Sequence, residues 1–320
     1  MVNQTTRMRV LVLLAVSTVY ILLATASQYL TGAAYASFGL YPDESSHYIS
    51  SILVHDYLIS GFHKSPLHFA IDYYVSYPFF AIGYWPPAFY AIGGVWMLLF
   101  GLGHHSALLL TAVMAALIGA TIFQIVRQWC SAWVALVWGA IVLFVPSVIE
   151  GSSMFMVDIP ITLFSFWALV ELIRFSKAPD RPGHAIMFAL LGALTILTKY
   201  SGAFVCALPF ALLVIDRTSR LWKKPWFWLQ PVSIVVLCAP WILFTRKLSS
   251  AGLPPEAVDP AHQKTIVKAL IGYPSGLAVL LGPVLCIAVL ISIVFLILRH
   301  VRTLEVCMYA AAPLCLVLFL

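Results

Sequence analysis

The sequence predicts an all-α, polytopic integral membrane protein. Three observations carry this. The composition is 62% hydrophobic and 9% charged, with a mean hydropathy of +0.99. Apolar stretches of about 20 residues, the length that crosses a bilayer core, recur along the whole chain. The basic residues fall in short gaps between those stretches, where they set orientation, so the net charge of +6 implies no nucleic-acid partner. The expected surrounding is a lipid bilayer. No segment is long and polar enough for a separate soluble domain, so residues 1–320 read as one transmembrane domain.

Spans are expected near 10–30, 106–126, 131–149, 159–175, 185–198, 202–216, 226–245, 273–298 and 303–320, about nine helices in all. Arg7 and Arg9 precede the first, and Ala24-Thr25-Ala26 has the small-residue form of a signal-peptidase site. The apolar pattern continues to Leu30, so an uncleaved helix is expected. The six cysteines lie in or beside apolar runs without a CxxC pair, as small buried side chains rather than a disulfide or zinc framework. The last run reaches residue 320, and the expectation is that the chain continues beyond it.

The apolar segment 87–103 decides the topology. If it does not cross, Arg127, Lys177, Arg181, Arg217, Arg220, Lys223, Lys224, Arg299 and Arg302 all fall on the inner side, as the positive-inside rule asks. It is therefore expected to lie along the outer surface or to re-enter. Residues 31–103 then form an outer loop, and Asp43, Glu44, Asp158, Lys199, Arg246 and Lys247 share the outer face. The part 31–86 holds Asp43, Glu44, Asp56 and Asp72, with His47, His55, His63 and His68. Its aromatics Tyr73, Tyr74, Tyr77, Phe79, Phe80, Tyr84 and Trp85 suit short helices at the membrane interface. A second outer loop, 246–272, carries Glu256, Asp259 and His262. A bacterial inner membrane, with the site on its outer face, is the expected location.

In so apolar a chain the acids stand out, because carboxylates are costly near hydrocarbon and tend to be functional there. Asp43-Glu44 comes shortly after the first span, and Asp158 opens another in Asp158-Ile159-Pro160. Acids at the mouths of membrane helices point to a site at the membrane surface. The simpler reading makes them helix-start residues favoured by the dipole, with Asp158 as a cap ahead of an early proline.

Further signals follow in order. Trp85-Pro86-Pro87-Ala88-Phe89-Tyr90 is a Pro-Pro-x-x-Tyr element, followed by Leu99-Phe100-Gly101. Asp158-Ile159-Pro160, Leu197-Thr198-Lys199-Tyr200-Ser201-Gly202 and Pro240-Trp241 come next. Together with the Asp-Glu pair, this order resembles the GT-C glycosyltransferases, in the branch of the protein O-mannosyltransferases and the aminoarabinose transferases of lipid A, over roughly residues 10–247.

The resemblance implies a GT-C-type transmembrane helix bundle with interfacial helices in the first outer loop. It implies transfer of a sugar from a polyprenyl-phosphate donor to an acceptor hydroxyl on a protein, lipid or glycan. Asp43 matches the family's acidic position and is the expected general base, which takes the acceptor's proton. Glu44 is expected to position the acceptor or a metal, with Asp158 as a further catalytic acid and Glu150 as a weaker candidate. Lys199 and Arg246, with Lys247 as an alternative, are the expected partners of the leaving phosphate; snorkelling and helix anchoring are their simpler readings. Tyr84, Trp85 and Tyr90 are candidate sugar- or prenyl-binding residues. A divalent metal ion held by Glu44, His47 and Asp158 is the cofactor this pattern admits, since Glu44 and His47 are three apart on a helix. Two other classes compete: a transporter or flippase, expected to carry midplane charges and paired broken helices, and an inactive GT-C-like partner protein.

Overall fold

The computed structural model describes residues 4–38, 41–77, 83–215 and 221–250. The expected spans 273–298 and 303–320, the second-loop residues Glu256, Asp259 and His262, and Phe79 and Phe80 lie outside the described residues. Within them the chain is helical, with eleven α-helices and no strand. Among the described residues, four helices are long and apolar enough to cross a membrane: Thr6–Leu30, His104–Val126, Asp158–Lys177 and Pro225–Arg246. The protein is a polytopic membrane protein of the expected all-α class. It divides into two compact units, 1–82 with 87–163, and 83–86 with 164–320.

In the first unit, α1 (Gln4–Leu30) is a 27-residue helix, about 40 Å at 1.5 Å per residue. Gly32, at φ +83°, turns the chain beyond it, a conformation glycine adopts without strain. α2 (Pro42–Asp56) starts where proline is tolerated, at the first helical position, and carries Asp43 and Glu44 in the turn where the dipole favours anions. It passes through a wider π-type turn, Tyr57–Gly61, towards α3 (Pro66–Ser76), whose Ser65 hydroxyl accepts the His68 N–H at 3.3 Å. α4 (Ala88–Phe100) has 13 residues, about 20 Å, short of the roughly 30 Å hydrocarbon core.

α4 packs closely on α2. A β-carbon at Gly93 would lie 2.5 Å from the Ser51 hydroxyl, and one at Gly94 would lie 2.9 Å from the backbone nitrogen of His55. α5 (His104–Val126) crosses α6 (Ala132–Leu143) at a second glycine contact, Gly119 against Gly139, with the ring of Tyr20 from α1 at the crossing. The Tyr20 hydroxyl donates to the Leu136 carbonyl at 2.8 Å. The expected span 131–149 is in fact broken: α6 and α7 (Pro146–Ser152) are bent by 64°. Pro146 is the cause, since it has no N–H to continue the ladder and it disfavours helix in the residue before it.

α8 (Asp158–Lys177) starts in the first unit and ends in the second. The second unit adds α9 (Pro182–Ile196), a 3-10 segment Tyr200–Ala207, α10 (Leu208–Ile215) and α11 (Pro225–Ser250). Its core centres on the fully buried Leu172, Phe175, Phe188, Leu208, Leu212 and Phe227. Gly192 lets α9 approach α11, where a β-carbon would meet Ile234 at 2.8 Å. Glu171 joins α8 to α9, contacting Arg174 at 2.6 Å and His184 at 2.7 Å.

Candidate active site

The first turn of α2 divides the acid pair between two environments. Asp43 is exposed, whereas Glu44 is only 2% exposed. The buried face of α2 is polar: Glu44, His47, Ser50, Ser51 and His55 all turn inwards. The 3.6-residue repeat places 44, 47, 51 and 55 on one stripe, and that stripe meets the glycines of α4. Asp43, one position earlier, lies off it.

A buried carboxylate needs hydrogen-bond donors. Glu44 Oε1 accepts the backbone N–H of Phe155 at 3.0 Å. His47 Nδ1 lies 2.8 Å from the Tyr90 hydroxyl, and the two rings stack at 5.7 Å. Phe89 packs on Phe155 at 4.8 Å and closes the apolar side. Burial foremost, and then the charge of Asp43, push the Tyr90 hydroxyl above its ordinary range, so it stays protonated at neutral pH. The structure thus brings together Asp43, Glu44, His47 and Tyr90 from the sequence-derived candidates.

Asp158 is the first residue of α8 and exposed; its carbonyl accepts the Thr162 hydroxyl at 2.7 Å. Among the described residues, no three of His, Cys, Asp and Glu come together in a group suited to a metal ion. Glu44, His47 and Asp158 are therefore not gathered into such a group.

In the second unit, the Tyr84 and Trp85 rings stand edge to face at 4.9 Å. Lys199 is half-buried and directly precedes the 3-10 segment at Tyr200. Trp241 Nε1 donates to the Tyr200 hydroxyl at 3.1 Å, which joins the Lys-Tyr and Pro-Trp motifs, 41 positions apart in sequence. Arg246 is exposed, five residues further along α11, about 7.5 Å along the helix axis.

Three features were not legible in the motifs. The Phe155 N–H that anchors Glu44, the Tyr41 hydroxyl that donates to Glu150 Oε1 at 3.4 Å, and the place of His104 beside Glu44 on one cleft all join distant parts of the chain. His104 gave no spacing signal to either acid.

The family described as dolichyl-phosphate-mannose-protein mannosyltransferase matches residues 85–244. No curated protein and no solved structure matches the chain. The matched region holds the Pro-Pro-x-x-Tyr, Asp-x-Pro, Leu-Thr-Lys and Pro-Trp elements, while Asp43 and Glu44 lie ahead of it. Half of the chain lies in the match and its apolar helices are those of a membrane protein, so it belongs to the dolichyl-phosphate-mannose-protein mannosyltransferase family, the membrane glycosyltransferases of GT-C type.

Proposed function

We propose that this glycosyltransferase moves a sugar from a polyprenyl-phosphate donor to an acceptor hydroxyl on the outer face of the membrane, with Asp43 as the general base. One observation carries the choice of base: of two adjacent carboxylates, Glu44 is buried and bound to Phe155, and Asp43 is left exposed at the helix start. A fixed neighbour holds the turn in place, while the exposed acid can meet a substrate.

In the transfer, Asp43 takes the proton of the acceptor hydroxyl. The acceptor oxygen forms a bond to the anomeric carbon, and the bond from that carbon to the phosphate oxygen breaks. Polyprenyl phosphate leaves with the electron pair. Lys199 and Arg246 supply the cationic charge that the leaving phosphate needs. Tyr84 and Trp85 offer ring faces to the sugar, Tyr90 holds His47 beside the acids, and Asp158 contributes a further carboxylate.

The test uses the full chain in detergent with a panel of radiolabelled polyprenyl-phosphate sugars. Wild type is expected to release polyprenyl phosphate from one donor. Asp43→Asn is expected to slow this by about 10²- to 10⁴-fold, the range of general-base contributions. Release that survives Asp43→Asn sinks the choice of base; no release from any donor, with acceptors supplied, sinks the donor class. A parallel sample with EDTA reports metal dependence.

A further inference from the structure

One end of the second unit gathers charge where one membrane span finishes and another starts. The span of α8 ends at Lys177, and that of α11 begins at Pro225. Lys224 Nζ lies 2.6 Å from Asp180 Oδ1, which ties the residue ahead of α11 to the turn after α8, 44 positions apart. Both span ends therefore lie together at the edge of the hydrocarbon. In residues 177–184 and 221–226, Lys177, Arg181, Lys223 and Lys224 stand against the one acid Asp180.

A 3-10 turn, Leu221–Lys223, positions part of this charge. Leu221 is fully buried in the core of the unit, so the turn is anchored, while Trp222 and Lys223 face outwards. Lys223 Nζ lies 5.2 Å from the centroid of the Trp222 ring. Trp228 Nε1 donates to the Trp222 carbonyl at 2.8 Å, which fixes the second ring beside the first. The two tryptophans are 54% and 50% exposed, so half of each residue is left to the surroundings. Such rings are favoured where hydrocarbon meets headgroups.

Snorkelling asks only that a long side chain reach water. This end is more ordered than that. Its turn is held by a buried leucine, and Lys224 already meets an oxyanion at charge-assisted distance, the Asp180 carboxylate. Asp180 is itself exposed, so an external phosphate can reach the same ammonium.

We infer that this end of the second unit is a docking surface for the headgroups of anionic phospholipids. Lys223 and Arg181 contact the headgroup phosphate, Trp222 and Trp228 lie beside the upper acyl chain, and Asp180 competes for Lys224. By the positive-inside rule this end faces the cytoplasmic leaflet, whose lipids carry negative charge.

The full chain, reconstituted in phosphatidylcholine vesicles at low ionic strength, tests this with brominated phosphatidylglycerol against brominated phosphatidylcholine. Bromine quenches nearby indoles, and the quenching that Trp222→Phe removes reports this surface. Wild type is expected to prefer phosphatidylglycerol about tenfold, and Lys223→Gln to reduce this to about twofold, since one basic residue near an anionic surface is worth roughly fivefold. Arg181→Gln acts in the same direction, and high salt weakens the preference. Asp180→Asn raises it, because Lys224 loses its internal partner. Lys64→Gln, an equal change of charge in the first unit, leaves it unchanged. Arg181, Lys223 and Asp180 are exposed, so their variants should keep the wild-type melting profile, which serves as the folding control. Equal quenching by the two lipids, a preference that Lys223→Gln leaves intact or Asp180→Asn fails to raise, or one that Lys64→Gln lowers as much as Lys223→Gln overturns the inference. No turnover is read, so the result is independent of the transferase reading.

Discussion

The carboxylate of Glu44 accepts the backbone N–H of Phe155 at 3.0 Å, across 111 positions of sequence. The bond ties the first turn of α2 to the strandless segment ahead of α8. It also fixes which member of the acid pair faces inwards. With Asp43 as the proposed base, the stability and the chemistry of this region separate between two adjacent residues.

Glu44→Gln keeps an acceptor for Phe155 and is expected to melt near wild type. Glu44→Ala leaves that buried N–H unpaired, at a cost of about 1–3 kcal/mol. Thermal unfolding in detergent distinguishes them; equal melting of the alanine variant would show that the bond contributes nothing. Asp43→Asn, on an exposed side chain, should leave melting unchanged while it lowers activity.

Tyr90→Phe removes the hydroxyl partner of His47 and retains the ring stack. The expected loss is about 0.5–1.5 kcal/mol, the net worth of one such bond. Denaturant unfolding reads this as a lower midpoint at unchanged slope.

The Gly119–Gly139 contact has no room for a methyl group. At Gly139 a β-carbon would lie 2.6 Å from the Gly119 carbonyl oxygen and 2.8 Å from the Tyr20 ring. Gly139→Ala is expected to cost about 1–3 kcal/mol by overpacking. Gly183→Ala, with nothing within 4 Å of the added carbon, is the paired control. Equal melting of the two variants would contradict the close approach.

Lys199→Ala is expected to raise the donor KM by roughly 10- to 150-fold, the loss of one charge-assisted hydrogen bond to phosphate. Trp241→Phe removes the indole N–H that holds Tyr200, next in the chain to Lys199, and should raise KM less. Initial rates against donor concentration check both; a KM that neither variant moves removes Lys199 from the phosphate site.

Lys64, 2.7 Å from Asp72, holds the Asp72 carboxyl below its ordinary value of 3.8. A depressed folded value means that the pair stabilises the protein above the unfolded value and that this contribution is lost as pH falls through the folded one. The pair is fully exposed, so the effect is small and screened by salt. Asp72→Asn should melt slightly lower than wild type at pH 6 and equally once pH falls well below 3.8. A difference that persists or grows in acid would refute the assignment.

The membrane class and the positions of the long helices were legible, because hydropathy is a local property of about 20 residues. The start of α8 at Asp158, two residues ahead of Pro160, was legible too. The break of 131–149 at Pro146 was written in the residue itself, but an apolar count passes over a single proline. His47 read as a ligand because i and i+3 share a helix face; its contact with Tyr90, 43 positions away, is not visible in that spacing.

The sequence by itself determined that the chain is helical, crosses a membrane and carries Asp43, Glu44 and Asp158 at helix starts, since composition, capping and proline chemistry act within a few residues. Only the tertiary structure decided that Glu44 is the inward acid and Asp43 the outward one. That choice depends on which face of α2 meets Gly93 and Gly94 of α4, and on an N–H at Phe155 far along the chain. Contacts between helices are set by packing, and no local pattern records them.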